Sequence, residues 1–332
     1  MLSRHFLRTK VLQAVYASQA LGNDLVVTEK NLKHDIMRLN DLGTMQLAAL
    51  VHFRDIAEQM TEEARSKYLA TAADLNPNRK LLENRFLNRL AENFDLRSHC
   101  EAAKVNWSAM EMEFRGMYAD FVKLQEYGKY LKEEDSFDND KAMVLVLFKY
   151  LMNEERLREG LYKGSLLWEE DFDQIAQYNY NMLKSLDETL DVATEIPLMS
   201  DSRNGMDVEA MEFARRLLMV TLRNGNEVER LIRMHLQGWE YDRVASMDVL
   251  LLNMAVAELT ECPSIPERVT VDEYIELSKE FSTSRSKLFI NGILDKIILE
   301  LHKENRIHKN GRGLYVPEGE TDSPDRGEEV QL

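Results

Sequence analysis

Late in the chain Arg285, Lys287 and Phe289 alternate, two residues apart. An aromatic ring beside a guanidinium and an ammonium group suits single-stranded nucleic acid, whose bases stack on aromatic faces while cations meet its phosphates. Read alone, the same phenylalanine fits a helical core. At the start of the chain Arg4, His5 and Arg8 fall within two helical turns, and residues 1–22 contain no acid. Asp248 is the third point of interest, sharing a helical face with Val244, Leu251, Leu252, Ala255 and Leu259. A carboxylate in such a stripe needs a partner, because an unpaired buried charge is costly. An internal arginine or lysine, exposure at the stripe's edge, or a second protein on that face would each provide one.

Catalytic signatures are missing. The sequence has no phosphate-cradling glycine loop, no CxxC and no serine or cysteine in a nucleophile motif. Its seven histidines never pair at i,i+4, so a metal would need ligands gathered from afar. The acid clusters Glu133–Asp135 and Glu169–Asp173 lack the alternating oxygen ligands of a calcium loop and read as solvated helix ends. Cys100 and Cys262 are too few for a disulfide framework and fit buried apolar positions in a reducing compartment. The expectation is a protein that is not an enzyme and needs no cofactor or metal.

Charge is segregated along the chain. The net charge of −16 argues against an ordinary sequence-blind nucleic-acid binder, whose affinity comes from displacing counterions. Yet residues 1–22 carry +3 and residues 285–312 carry +4, whereas 23–284 carry −18 and 313–332 carry −5. The two basic islands form one local patch if they meet in the fold, or remain two solvated helix ends if they do not.

The elements that must position these groups read as helices. With 14 glycines and six prolines in 332 residues, the chain has little of the punctuation a many-stranded fold needs. Apolar spacing predicts helices over 2–21, 28–74 with a bend at Gly43, 81–93, 107–132, 139–159, 166–194, 206–224, 225–237, 241–261, 269–281 and 285–304. Residues 197–205 read as a loop, and 313–332 as a disordered acidic tail. No apolar run approaches the length of a membrane helix, and no cleavable leader follows the basic start, so a cytosolic protein is expected.

The stretch 'WEYDRVASMDVLLLNMAVAELTECPSIPERVTVDEYIELSKEFSTSRSKLFINGILDKI' (239–297) resembles the C-terminal half of the NusB family of bacterial transcription antitermination factors. The identifying pieces are 'DR…D' before an apolar helix, 'AEL', a proline before 'VTVDEYIELSKEFS', and the closing 'FINGILDK'. The opening 'SRHFLRTKVLQAVYASQ' is similar to the family's first helix. The resemblance implies an all-α NusB-like helical bundle formed by 1–22 and 239–312. A large helical insertion over 23–238, like the enlarged middle of a long-chain bacterial branch, would separate the two parts. It also implies an RNA surface of Arg4, His5, Arg8, Arg285, Lys287 and Phe289. Where relatives carry basic residues, this chain has His5, Phe6 and Leu288. Tyr16 and Asp248, with Asp242, match positions at the family's interface with NusE, a protein of the small ribosomal subunit.

The function so implied is binding of boxA-like single-stranded RNA together with NusE, on the RNA polymerase elongation complex, in support of ribosomal RNA synthesis. A homodimer is left open, and a membrane partner is not expected. Two rivals remain. One is a helical protein–protein adaptor that has lost RNA binding, which the acidic total favours. The other is the helical domain of an RNA methyltransferase, which would need a glycine-rich nucleotide-binding domain and a catalytic cysteine.

Overall fold

In the computed structural model, residues 3–163, 168–199, 208–236 and 240–314 are described. In chain order its helices are α1 (Arg4–Leu21), α2 (Leu25–Arg65), α3 (Ala72–Leu75), α4 (Arg85–Glu92), α5 (Phe94–Ala102), α6 (Glu111–Phe121), α7 (Gln125–Tyr130) and α8 (Phe137–Asn153). They continue as α9 (Glu155–Tyr162), α10 (Trp168–Ser185), α11 (Val208–Arg223), α12 (Gly225–His235), α13 (Ser246–Glu261), α14 (Glu267–Phe281) and α15 (Ser286–Lys303). No strand occurs among the described residues, so the all-α expectation holds. No helix among them is long and apolar enough to cross a membrane.

The described residues divide into two compact units: 34–199, and 3–33 together with 208–314. In the second unit α13 is the hub, touching α1, α11, α12, α14 and α15. Its run from Leu250 to Leu259 is buried almost all round, as befits a helix enclosed by neighbours. Against α11 and α13, helix α1 buries Phe6, Leu7, Val11, Leu12 and Val15, each side chain worth roughly 1.5–3 kcal/mol of transfer free energy. Ser3 Oγ accepts the Phe6 N–H at the start of α1, and Gly22 ends it with a φ of +67° that other residues adopt at a cost.

In the first unit α8 plays the central role, touching α4, α6, α7, α9 and α10. Buried asparagines order its corners: Asn84 Oδ1 accepts the Leu87 N–H at 2.9 Å, and Asn93 Oδ1 accepts the Leu96 N–H at 2.8 Å. Asp140, on α8, takes the Tyr130 hydroxyl at 2.7 Å and the Arg85 backbone N–H at 3.0 Å.

Several element boundaries differ from the sequence expectation. Helix α2 continues unbroken through Gly43 to Arg65, and the glycine admits α10, whose Asn179 Nδ2 donates to the Gly43 carbonyl at 3.0 Å. The helix expected over 139–159 is two, because Glu154 leaves helical geometry at ψ 116°. Helix α5 was not anticipated; Asn93, which closes α4 and opens α5, disguises the boundary. Gly313 and Leu314, read as the start of the tail, belong to a 3-10 turn at Gly311–Leu314, while 315–332 and most of the expected 197–205 loop lie outside the described residues.

Candidate nucleic-acid interface

The start of α1 lies against α14 and α11, and its three basic residues have different fates. Arg8 is only 1% exposed. Its Nε and Nη2 donate to the two oxygens of Glu258 on α13, each at 2.7 Å, and Nη1 lies 3.1 Å from Glu273 on α14. Burial alone would lower the pKa of this guanidinium, but the bonds and charge of Glu258, with Tyr274 and Glu273, more than offset it and raise it. The Glu258 carboxylate also accepts the hydroxyls of Thr270 at 2.8 Å and Tyr274 at 3.3 Å. Arg8 therefore ties three helices together and has no face for a phosphate. The RNA contact expected of it from the resemblance has no open surface here.

His5 sits half-buried between two carboxylates, with Nδ1 2.9 Å from Glu273 and Nε2 3.4 Å from Glu280. Arg4 is more open. Its Nη2 donates to Glu209 at 3.2 Å and its guanidinium lies over the Phe213 ring at 5.7 Å.

Arg285, Lys287 and Phe289 sit where α14 turns into α15. Arg285 caps α15, and both cations are exposed without a hydrogen bond or ion pair to any described residue. Phe289 is half-buried beside them, and Leu288 is 74% exposed. A ring partly open to solvent, one helical turn from the free Arg285 cation, can take a stacked base with its phosphate.

Asp248 explains why this corner is ordered. The carboxylate is 6% exposed, in the first turn of α13, where the helix dipole favours negative charge. Its Oδ1 accepts the Ser282 hydroxyl at 2.6 Å and its Oδ2 the Ser286 hydroxyl at 2.9 Å. Ser286 Oγ in turn accepts the Thr283 N–H at 3.2 Å. Within the chain its partners are thus two serines, one on each side of Arg285, rather than an arginine or lysine. The carboxylate that the resemblance assigns to a protein interface is engaged inside the chain, holding the turn that displays Arg285 and Lys287.

The two basic islands meet only at their ends, where Arg4 and Arg312 line one cleft, while the Arg285 corner stands apart. Arg4 shares a cleft with Ser264 and Pro266 before α14, whereas Arg285 follows its far end; the helix's 15 residues span about 22 Å. Along α14, Glu273, Glu276 and Glu280 recur at helical spacing, and the last two are exposed. Of the partner candidates, Tyr16 is 52% exposed on α1, while the exposed Asp242 lies 3.7 Å from Arg233. Sequence reasoning missed Glu258, and it counted Arg312 only within the second basic island, whereas the side chain is exposed on the cleft that Arg4 lines.

A family model described as "NusB family" matches residues 169–299, from α10 into α15. The chain is 43% identical over 108 residues to a Salinibacter ruber protein named "Transcription antitermination protein NusB", covering 32% of this chain and 68% of that one. A Chloroherpeton thalassium protein of the same name is 34% identical over 108 residues, covering 32% of this chain and 51% of that one. A solved T. maritima NusB structure aligns with 43% of this chain and 84% of its own, at 32% identity and a TM-score of 0.27.

Proposed function

The chain belongs to the NusB family, and on that premise we propose that it is a transcription antitermination factor binding boxA-like single-stranded RNA together with NusE. It acts there without catalysis, on the RNA polymerase elongation complex, in support of ribosomal RNA synthesis. The observation that carries this reading is the α14–α15 corner, where Arg285 and Lys287 stand exposed and unpaired beside Phe289, in a turn fastened by Asp248. Arg4 extends the cationic surface at the other end of α14. NusE supplies positive charge that this acidic chain lacks, and Tyr16 offers it an aromatic contact.

The adaptor reading has one observation in its favour. Glu273, Glu276 and Glu280 lie on α14 between Arg4 and Arg285, and Arg8 and His5 are occupied by carboxylates. Titrating a boxA-type RNA with the protein, with and without NusE at two salt concentrations, separates the readings. The antitermination reading expects salt-sensitive binding that NusE strengthens. Binding to NusE with no RNA contribution would make the protein an adaptor.

A further inference from the structure

Beside the start of α1 lies a cleft of about 630 Å³ lined by Arg4, Ser264, Pro266, Gly311, Arg312 and Leu314. Its volume is within the range of small-ligand sites. Two arginines meet apolar surface from Pro266 and Leu314, and the 3-10 turn that bears Arg312 is built with care. Gly311 adopts a φ of +50°, which other residues reach only with strain. The Asn310 N–H donates to the Pro263 carbonyl at 3.0 Å, and the Gly313 N–H donates to the Asn310 carbonyl at 2.8 Å. Any side chain at 313 would put its Cβ 2.0 Å from the Pro263 carbonyl oxygen, so only glycine fits that approach. Lys309 Nζ adds a bond to the Cys262 carbonyl at 3.2 Å. The segment is thus strapped to the α13–α14 turn, and Arg312 is held outward between two glycines whose backbone demands fix it there.

Arg312 has no hydrogen bond or ion pair to any described residue, while Arg4 keeps its guanidinium over Phe213 with one bond to Glu209. One cation is anchored and the other is unsatisfied, on a cleft whose remaining wall is apolar. Phosphate oxygens fit the guanidinium forks, and a base or ribose fits the Pro266 and Leu314 surface. We infer that this cleft is a subsite for one nucleotide of a single-stranded RNA, its phosphodiester between Arg4 and Arg312, beyond the nucleotides held at the α14–α15 corner. The inference rests on the RNA-binding reading and extends it to residues outside the expected surface.

The test is fluorescence anisotropy with a boxA-type RNA and a nested set trimmed one nucleotide at a time from each end. The wild-type chain is compared with Arg312→Ala and Gly313→Ala, with NusE present throughout. For the full RNA, Arg312→Ala should weaken binding roughly two- to fivefold, the range of an exposed ion pair, and lower the salt slope by about 0.7. Gly313→Ala should do the same by displacing the turn. Once the RNA is trimmed past the subsite at one end, wild type and variants should bind alike. Equal binding of the full RNA by wild type and Arg312→Ala overturns the subsite and leaves the RNA reading intact. Tighter binding by Arg312→Ala also overturns it, and points to the chain's own acidic residues 315–332 as the occupant. Failure of the wild type to bind any of these RNAs removes the RNA reading and the subsite together.

Discussion

The Arg8 guanidinium and the Glu258 carboxylate form a two-pronged pair, both bonds 2.7 Å long, between residues 250 positions apart and shut off from water. Glu258 is saturated by Arg8, Thr270 and Tyr274 together, so α1, α13 and α14 are fastened at one carboxylate. Because both ions are desolvated, such a pair adds little net stability, while losing either partner leaves an uncompensated buried charge.

Arg8→Ala should therefore be severe. It strands Glu258 without its counter-ion, and loss of one partner of a buried pair costs about 3–5 kcal/mol. Replacing both, as Arg8→Met with Glu258→Gln, should restore part of that loss, since no buried charge is left unpaired and Gln keeps one acceptor oxygen for the Thr270 or Tyr274 hydroxyl. Urea denaturation of the two variants checks the order; a double variant no better than Arg8→Ala would mean the pair's charge is not what matters.

Arg285→Ala and Lys287→Ala should each leave stability nearly unchanged and reduce the salt dependence of RNA binding by about 0.7 in log–log slope. The exposed, unpaired state of both side chains is the reason. RNA titrations at a series of salt concentrations read this directly, and slopes identical to wild type would take both residues off the RNA surface.

Asp248→Ala leaves the Ser282 and Ser286 hydroxyls without their acceptor and should cost about 1–3 kcal/mol. RNA affinity should fall with it, because the turn carrying Arg285 loosens. Asp248→Asn keeps one acceptor oxygen and should lose less of both. If the asparagine variant is stable but binds NusE far more weakly, the carboxylate serves the partner rather than the turn.

Acid sensitivity should arise at His52. Its ring lies edge-on to Phe114 at 4.6 Å and near Trp107 at 6.1 Å, and its Nε2 has no hydrogen-bond partner among the described residues. Burial lowers its pKa, with the Glu111 charge opposing only in part. The neutral ring is thus favoured in the fold. Its contribution is fully present above the unfolded histidine value of about 6.5 and is lost as pH falls through the lower folded value. His52→Phe should accordingly flatten the decline in urea midpoint between pH 7.5 and pH 5; an unchanged decline would assign the sensitivity elsewhere.

Helix existence was legible in the residues because apolar spacing survives without context, as in Phe6, Val11, Leu12 and Val15. Boundaries were less so where a single asparagine serves two helices, as Asn93 does. The burial of Arg8 was hidden because it was grouped with Arg4, one turn away, on a polar face. A different grouping was available: Arg8 lies three, four and seven residues before Val11, Leu12 and Val15, all buried. Glu258, inside 'MAVAEL', carries the same signal as Asp248, a carboxylate among apolar neighbours. Matching those two anomalies would have suggested the pair. The serine partners of Asp248 were not legible, since Ser282 and Ser286 look like ordinary turn residues until the chain brings them back over 34 and 38 positions.

The unit gathered around α13 draws on two distant stretches of chain, and that has a consequence for its birth on the ribosome. Helix α1 ends at Leu21 and α13 begins at Ser246, so the first is synthesised long before the surface that covers it. At about 5–20 residues per second the delay is roughly 10–45 s. Through that interval Phe6, Leu7, Val11 and Leu12 have nothing native to bury against α13, and Arg8 has no Glu258. The apolar face of α1 thus stays without its native cover until the last third of the chain has been made.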